Sequence, residues 1–256
     1  MKRTLLAGVL LTALQASAQN DRLIDNNSIA WGQLFTTVNV ASKWDVLLEG
    51  QWRRTDGIRH PQQNLYRGAV QYRPNDGVSF AAGYGHIETF PYGDYPIAAN
   101  GTFPEHRVYE QVVLKQLLNK LAVAHRFRVE QRWLGQRAPA AERKIDHWTY
   151  LNRFRYQLRL QHPLVTTGNT TLYAGAADEL FIGAGKNVGT NVFDQNRVQL
   201  FLGARLSKHL SLEGGYINQT LMQGRRVLDK TIMQHNNGVV LSTILTLQGT
   251  RSATNR

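Results

Sequence analysis

The sequence predicts an all-β protein, an antiparallel up-and-down transmembrane β-barrel of about 10–12 strands. Beyond residue 28, apolar and polar residues alternate with a period of two, as in half-buried strands. The alternating segments are joined by connections that are short and long in turn, and many arginines share strand faces opposite apolar side chains. With 42% hydrophobic and 19% charged residues, the chain is too polar for a helical membrane protein and too apolar for a disordered one.

The first residues have the pattern of a secretory signal peptide. A basic pair at 2–3 precedes an apolar run at 5–14, and residues 16–18 form an Ala-Ser-Ala cleavage site. The run is too short to cross a bilayer as a helix, and a buried N-terminal helix is the alternative interpretation. We therefore expect residues 1–18 to be removed and the protein to be exported to the outer membrane.

The remaining chain is expected to form one domain, a β-barrel over residues 19–256 that ends in a polar tail at 248–256. The sequence contains no cysteine, which excludes disulfides, thiolate zinc sites and a cysteine nucleophile.

Eleven strand segments follow from the alternation, and most are longer than the five or six residues typical of soluble sheets. An odd number is unusual, because closed bacterial barrels mostly have an even one. Either a strand is missed, the weak N-terminal segment is miscounted, or the two ends of the chain pair in parallel. The predicted segments are 29–40, 43–54, 62–73, 77–88, 104–117, 121–134, 147–161, 170–182, 192–206, 209–222 and 232–248.

The connections alternate in length, as they do in outer-membrane barrels. Short connections are predicted at 41–42, 74–76, 118–120 and 207–208. Longer, polar or Gly/Pro-rich connections are predicted at 55–61, 89–103, 135–146, 183–191 and 223–231. The connection at 162–169 is intermediate and fits the alternation less well.

Basic residues outnumber acidic ones by 30 to 18, and 22 of the 30 are arginines. An arginine that faces lipid at the bilayer midplane costs about 2–4 kcal/mol, so the arginine-rich strand faces must point into the barrel. Neighbouring arginines repel one another, so carboxylates, Glu179 among them, must lie between them. The candidate lumen and anion-contacting residues are Arg126, Arg128, Glu130, Arg132, Arg153, Arg155, Arg159, Arg197, Arg205, Glu49 and Glu213.

All five tryptophans lie within a few residues of the ends of predicted strands. Aromatic girdles of outer-membrane barrels contact the lipid–water interface at such positions. We therefore predict a girdle that contains Trp31, Trp44, Trp52, Trp133 and Trp148.

No catalytic residues, metal ligands or cofactor are predicted. His106 and Glu110 form a weak catalytic pair, and Glu110 conflicts with its apolar strand face unless a bulge resets the register or it lies at the membrane interface. A barrel-borne lipid hydrolase would need a serine beside His125 and Asn152, and the adjacent segments supply none. Acidic and amide residues around the loop 183–189 favour a hydrogen-bonded rim over a calcium site.

Several fragments together resemble the DUF2490 family of uncharacterised bacterial proteins, over nearly the whole mature chain. The resemblance implies an outer-membrane β-barrel without an assigned reaction, and it supplies no catalytic residues. The last strand is followed by a polar tail rather than the terminal aromatic residue usual in such barrels. The fragments are Trp44 with Glu49-x-Gln51-x-Arg53, Glu105-His106-Arg107-x-x-Glu110-Gln111, His125-Arg126-Phe127-Arg128-x-Glu130-Gln131-Arg132, Asn152-Arg153-Phe154-Arg155-Tyr156, Asp178-Glu179-Leu180-Phe181, Asn196-Arg197 and Glu213-x-Gly215-Tyr216-x-Asn218-Gln219.

The favoured function is an integral outer-membrane barrel with an Arg/Glu-lined lumen, acting as a structural protein or as a narrow anion-preferring pore. Its expected partners are outer-membrane lipid and small anionic solutes. Nucleic acid is not expected, because the protein is exported. The alternative is a soluble periplasmic β-barrel that binds a small acidic or amphipathic ligand.

Overall fold

The computed structural model describes residues 22–137, 144–188 and 192–249, and these form one closed barrel of eleven strands. All eleven predicted segments are confirmed, and most strands extend beyond their predicted ends. The predicted signal peptide and most of the polar tail lie outside the described residues. The strands are β1 (Arg22–Ala41), β2 (Trp44–Thr55), β3 (His60–Asn75), β4 (Val78–Thr89), β5 (Phe103–Leu118), β6 (Leu121–Gln136), β7 (His147–Thr167), β8 (Thr170–Ala184), β9 (Phe193–Arg205), β10 (Leu210–Val227) and β11 (Lys230–Gln248).

The barrel closes through a parallel pair between β1 and β11, and every other pair of neighbouring strands is antiparallel. With an odd number of up-and-down strands, the first and last run in the same direction, so closure must be parallel. Of the three explanations for the odd strand number, parallel pairing of the two chain ends is therefore the correct one, and the barrel is antiparallel everywhere except at this seam. At the seam a Cβ on Gly238 would lie 1.7 Å from the Ile29 carbonyl oxygen, so the close approach requires glycine.

At one end of the barrel, the lower end, the turns 42–43, 76–77, 119–120, 168–169 and 206–209 are short. At the upper end the connections are 56–59, 90–102, 137–146, 185–192 and 228–229. The predicted alternation of short and long connections holds for three of the five upper connections, 90–102, 137–146 and 185–192.

Two connections are much shorter than predicted, because the flanking strands continue into them. The connection predicted at 162–169 is a turn at 168–169, and the loop predicted at 223–231 is a turn at 228–229. Leu228 and Asp229 both have positive φ, as in the type I′ turns that are favoured in two-residue hairpin loops.

The side chains alternate between an apolar exterior and a polar interior. Leu200, Leu202, Val239 and Leu241 are exposed on the outer surface. In contrast, the fully buried side chains include Gln234, Glu130 and several other polar residues. Apolar side chains such as Leu65 and Ile217 are buried as well, so the interior is mixed, unlike the apolar interior of a soluble sandwich. In the part of the chain that is described, no helix is long and apolar enough to cross a membrane.

The predicted tryptophan girdle is wrong for one of its five members. Trp44, Trp52 and Trp148 are exposed near strand ends, and Trp133 packs against Tyr150 with 5.3 Å between ring centroids.

Trp31 is instead buried, with 2% of its surface exposed. β1 begins at Arg22 rather than at residue 29, so Trp31 lies in the middle of the strand. Its indole Nε1 donates a hydrogen bond to Gln62 Oε1 at 2.7 Å inside the barrel.

Candidate functional site

The upper end of the lumen is crossed by the loop 90–102, which joins β4 to β5 and is named the crossing loop. It reaches β10 and β11, which lie on the opposite side of the barrel. Gln223 Nε2 donates to the Tyr95 carbonyl at 2.6 Å, and Arg225 Nη2 donates to the Pro96 carbonyl at 2.8 Å. The loop is therefore tied to the far wall of the barrel.

Asp25, near the start of β1, holds the middle of the crossing loop. Its buried carboxylate accepts hydrogen bonds from the backbone N–H of Asp94 and of Tyr95, at 3.4 and 3.2 Å. Gln234 Nε2 donates to the same carboxylate at 2.8 Å. Gly93 has a φ of 74°, and a Cβ there would lie 2.5 Å from the Asp25 carboxylate, so this approach requires glycine.

Tyr92 carries the crossing loop into the lumen. Its hydroxyl donates to Gln234 Oε1 and accepts from Asn236 Nδ2, both at 3.2 Å. Burial raises the pKa of the Tyr92 phenol, so the hydroxyl stays protonated and can donate. Below it a row of amides spans three strands, because Asn236 donates to Gln219 at 3.1 Å and Gln219 donates to Gln195 at 2.6 Å.

Beneath the crossing loop, arginines and carboxylates occupy the upper half of the lumen as one set of ion pairs, named the Arg/Glu network. Its members come from strands β5 to β9, where alternation directs them inward. In the register of β6 with β7, Arg128 lies opposite Arg155 and Glu130 lies opposite Arg153. The members are Glu105, Arg107, Arg128, Glu130, Arg132, Arg153, Arg155, Glu179, Asp194 and Arg197.

Glu130 lies at the centre of the network and is fully buried. Its Oε2 accepts from Arg153 Nη2 at 2.5 Å, and its Oε1 accepts from Arg155 Nη1 at 2.5 Å. Arg128 Nη1 is 3.8 Å from Glu130 and has no hydrogen-bond acceptor among the described residues. Arg128 instead donates to Gln111 Oε1 at 2.6 Å. One carboxylate therefore neutralises two arginines directly and a third more weakly.

Glu105 and Asp194 compensate the arginines nearest the crossing loop. Glu105 is buried and accepts hydrogen bonds from Arg107 and from Arg132 Nε, the latter at 2.6 Å. Asp194 accepts from Arg153 Nη1 at 2.7 Å, so Arg153 bridges two carboxylates.

Glu179 connects the network to the lower half of the lumen. Its Oε1 accepts from Arg155 Nη2 at 2.6 Å and from Arg126 Nη2 at 2.7 Å. Arg197 Nη1 lies 3.6 Å from its other oxygen. A single buried carboxylate thus faces three arginines.

Aromatic rings contact several guanidinium groups in the lumen. Arg53 lies 4.0 Å and Arg197 lies 4.7 Å from the centre of the Trp31 ring. Arg159 lies 4.0 Å from the centre of the Phe201 ring. Cation–π contacts stabilise the positive charge while leaving the N–H groups at the guanidinium edge free to donate.

The lower half of the lumen is an open cavity of about 390 Å3. The lining includes Arg205, the last residue of β9, and Ser211, near the start of β10. Both residues lie at the lower end of the barrel, so the cavity opens at that end. The charged lining comprises Arg67, Arg126, Arg155, Arg159, Arg197, Arg205, Glu49, Glu179 and Glu213.

All the candidate residues named from the sequence lie in this lumen. Glu213 pairs with Arg159, and Glu49 pairs with Arg67, whose Nη1 lies 3.1 Å from the Glu49 carboxylate. Within the network are Arg128, Glu130, Arg132 and Arg153. Along the cavity are Arg126, Arg159, Arg205, Glu49 and Glu213, while Arg155 and Arg197 belong to both regions.

Sequence reasoning missed several lumen residues that the same alternation could have found. Arg53 follows the inward-facing Glu49 by four residues, and Arg107 and Glu105 share the parity of the inward-facing Gln111. The crossing loop carries no periodic signal, so no sequence pattern could have placed it inside the barrel.

The residues considered for catalysis lie on the outer surface. The register of β5 with β4 and β6 is continuous, so no bulge resets it and Glu110 is exposed, accepting from Gln131 Nε2 at 3.2 Å. His106 lies four residues before Glu110 on the same face of β5, and its Nδ1 hydrogen-bonds to the Tyr84 hydroxyl.

The acidic pair beside the loop 183–189 does not form one site. Asp178 is exposed and accepts from Asn196 Nδ2 at 2.6 Å, while Glu179 is buried in the lumen. Within the described ranges, no group of three or more His, Cys, Asp or Glu residues has the geometry to hold a metal ion.

Comparison with known proteins agrees with the resemblance noted from the sequence. The model of a family described as "Protein of unknown function (DUF2490)" matches residues 29–227. An uncharacterized protein from Methylorubrum extorquens is 29% identical over 224 residues, which cover 85% of this chain and 88% of that protein.

Proposed function

We propose that this chain, which belongs to the DUF2490 family, is an integral outer-membrane barrel whose lumen is closed, a structural protein rather than a pore. The observation that carries the proposal is the crossing loop, tied to both walls of the barrel above a lumen filled by ion pairs.

The exterior supports membrane insertion. Large apolar side chains are exposed on the strands all around the barrel, from Leu48 and Val70 on β2 and β3 to Leu200 and Leu241 on β9 and β11. A soluble protein rarely exposes a continuous apolar surface of this extent, whereas lipid-facing strands require one.

The interior supports a closed state. Ions that traverse the lumen would have to pass the crossing loop and then the level where the amide row and the Arg/Glu network line one small cavity together. Tyr92 of the crossing loop donates to Gln234 on β11, and Arg153 on β7 donates to Asp194 on β9, two strands away.

Fractionation and planar-bilayer conductance test this proposal. We expect the protein in the outer-membrane fraction, heat-modifiable migration on gels, and no conductance above the bare bilayer. Recovery in the periplasmic fraction without detergent would favour the soluble alternative. A steady anion-selective conductance would leave the membrane location intact but contradict the closed lumen.

A matched pair of variants tests which face contacts lipid. Leu200 is exposed on the outside and its neighbour Gln199 lines the lower cavity. Leu200→Arg should lower the free energy of unfolding by about 2–4 kcal/mol in lipid, whereas Gln199→Arg should have a much smaller effect. Equal tolerance of the two substitutions would contradict insertion in a bilayer.

A further inference from the structure

We propose that the lower cavity is a binding site for a small oxyanion with the chemistry of phosphate, which enters from the lower end of the barrel. This inference rests on the closed barrel proposed above, because a lumen blocked above makes the cavity a blind pocket rather than part of a channel.

The first argument is charge. Six arginines and three glutamates line the cavity, and Arg155 also pairs with Glu130 in the layer above. At least two positive charges therefore remain uncompensated within the cavity. Arg205, at the mouth, makes no salt bridge within the described parts of the chain.

The second argument is hydrogen bonding. The Nε–H groups of Arg67, Arg126 and Arg197 are buried and have no acceptor among the residues that the structure describes. Arg67 and Arg197 are themselves more than nine-tenths buried. A buried donor without an acceptor is costly. All three arginines line the cavity, so a turn of their side chains that brings these N–H groups to an anion would remove that cost.

The third argument is the match between guanidinium and phosphate. The planar fork of arginine donates two parallel hydrogen bonds to an oxyanion, and it suits carboxylate and phosphate groups especially well. The remaining lining adds neutral donors, including Gln157, Gln199 and Ser211. A cavity of about 390 Å3 accommodates phosphate together with ordered water or a small organic substituent.

The carboxylates in the cavity do not cancel this preference. Glu179 already accepts from Arg126 and Arg155, and Glu213 accepts from Arg159 and from the Tyr173 hydroxyl, the latter at 3.0 Å. Their oxygens are therefore engaged, and the unengaged polar groups are mostly donors.

Isothermal titration of the full-length protein in detergent with inorganic phosphate tests the proposal, with ionic strength held constant by sodium chloride. We expect saturable binding that Arg205→Gln weakens about tenfold, because it removes one charged hydrogen bond. Lys208→Gln is the matched control, since Lys208 is exposed in the neighbouring turn and does not line the cavity. It removes the same charge from the same end and should leave affinity unchanged.

Arg205 is suited to this test because it has no salt-bridge partner in the described chain, so its removal leaves no buried group unpaired.

A second titration with glycerol 3-phosphate distinguishes the source of the anion. Tighter binding than inorganic phosphate would assign the site to an organic phosphate or lipid headgroup, and weaker binding would assign it to the free ion.

Absence of saturable binding, or equal weakening by Arg205→Gln and Lys208→Gln, would overturn the proposal. Neither result would bear on the closed barrel, which fractionation and conductance assess separately. Conversely, a conducting protein that still binds phosphate through Arg205 would overturn the closed lumen and retain the site.

Discussion

The upper and lower halves of the lumen use the same residue types but satisfy their charges differently. In the upper half, the buried Glu105 and Glu130 each accept from buried arginines, and the crossing loop lies above them. In the lower half, Arg205 makes no salt bridge within the described residues. Guanidinium N–H groups without an acceptor among these residues occur in both halves, at Arg128 in the network and at Arg126 beside the cavity.

This difference follows from the access of solvent. A charge removed from water must be paired, because desolvation otherwise costs several kcal/mol per ion. A cavity open to water tolerates unpaired arginines, since solvent or a solute anion can screen them. The balance of charge along the lumen therefore marks how far water enters, and the following predictions test that boundary.

The largest effect is expected at the centre of the closed half. Glu130→Gln leaves Arg153 and Arg155 without a shared buried carboxylate, and should lower the free energy of unfolding by about 3–5 kcal/mol. Arg128→Gln should cost about 1 kcal/mol, since Arg128 lies 3.8 Å from Glu130 and donates mainly to Gln111. Thermal unfolding in detergent compares them. A larger loss with Arg128→Gln would show that Arg128 is individually committed to Glu130.

A smaller effect is expected where the crossing loop is tied to β1. Asp25→Ala removes a buried carboxylate that accepts from two backbone N–H groups of the loop and from Gln234. We expect a local loss of about 2 kcal/mol and faster proteolysis within 90–102. Asp76→Ala, in an exposed turn at the lower end, is the control. Equal protease resistance in both variants would contradict the anchoring role of Asp25.

The strands and the inward direction of the arginines could be predicted from the sequence, because alternation is a local property of each strand. Arg153 and Arg155 lie on one parity of β7, and no knowledge of their partners is needed to direct them inward. The odd strand count raised the parallel seam as one alternative, but only the pairing of β1 with β11 decides it.

The ion pairs and the closure of the lumen could not be predicted, because they depend on contacts across the barrel. Glu179 is 53 residues from Arg126 in the chain, and Asp194 is 41 residues from Arg153. The prediction that Trp31 belongs to the girdle was wrong for a related reason. Its assignment to the girdle depended on where β1 begins, and strand ends are poorly marked by alternation.

A glutamate-to-glutamine substitution in the lower half, at Glu213, provides a direct comparison with Glu130→Gln. Glu213 pairs with Arg159, whose side chain is partly exposed, and also accepts from the Tyr173 hydroxyl. Because water reaches Arg159 when the carboxylate is lost, Glu213→Gln should cost only about 1 kcal/mol. The measurement is again thermal unfolding. If Glu213→Gln destabilises the protein as much as Glu130→Gln, the lower half is as dry as the upper half.

The smallest effect is expected for Arg205→Gln. Arg205 is exposed at the mouth of the cavity and makes no salt bridge within the described chain. Removing it breaks no pair and relieves repulsion from Arg159 and the other arginines of the lining, so the free energy of unfolding should change by less than about 0.5 kcal/mol. Any gain should be largest at low salt, where repulsion is least screened. Unfolding at two salt concentrations measures this, and a destabilisation above that limit would show that Arg205 is paired after all.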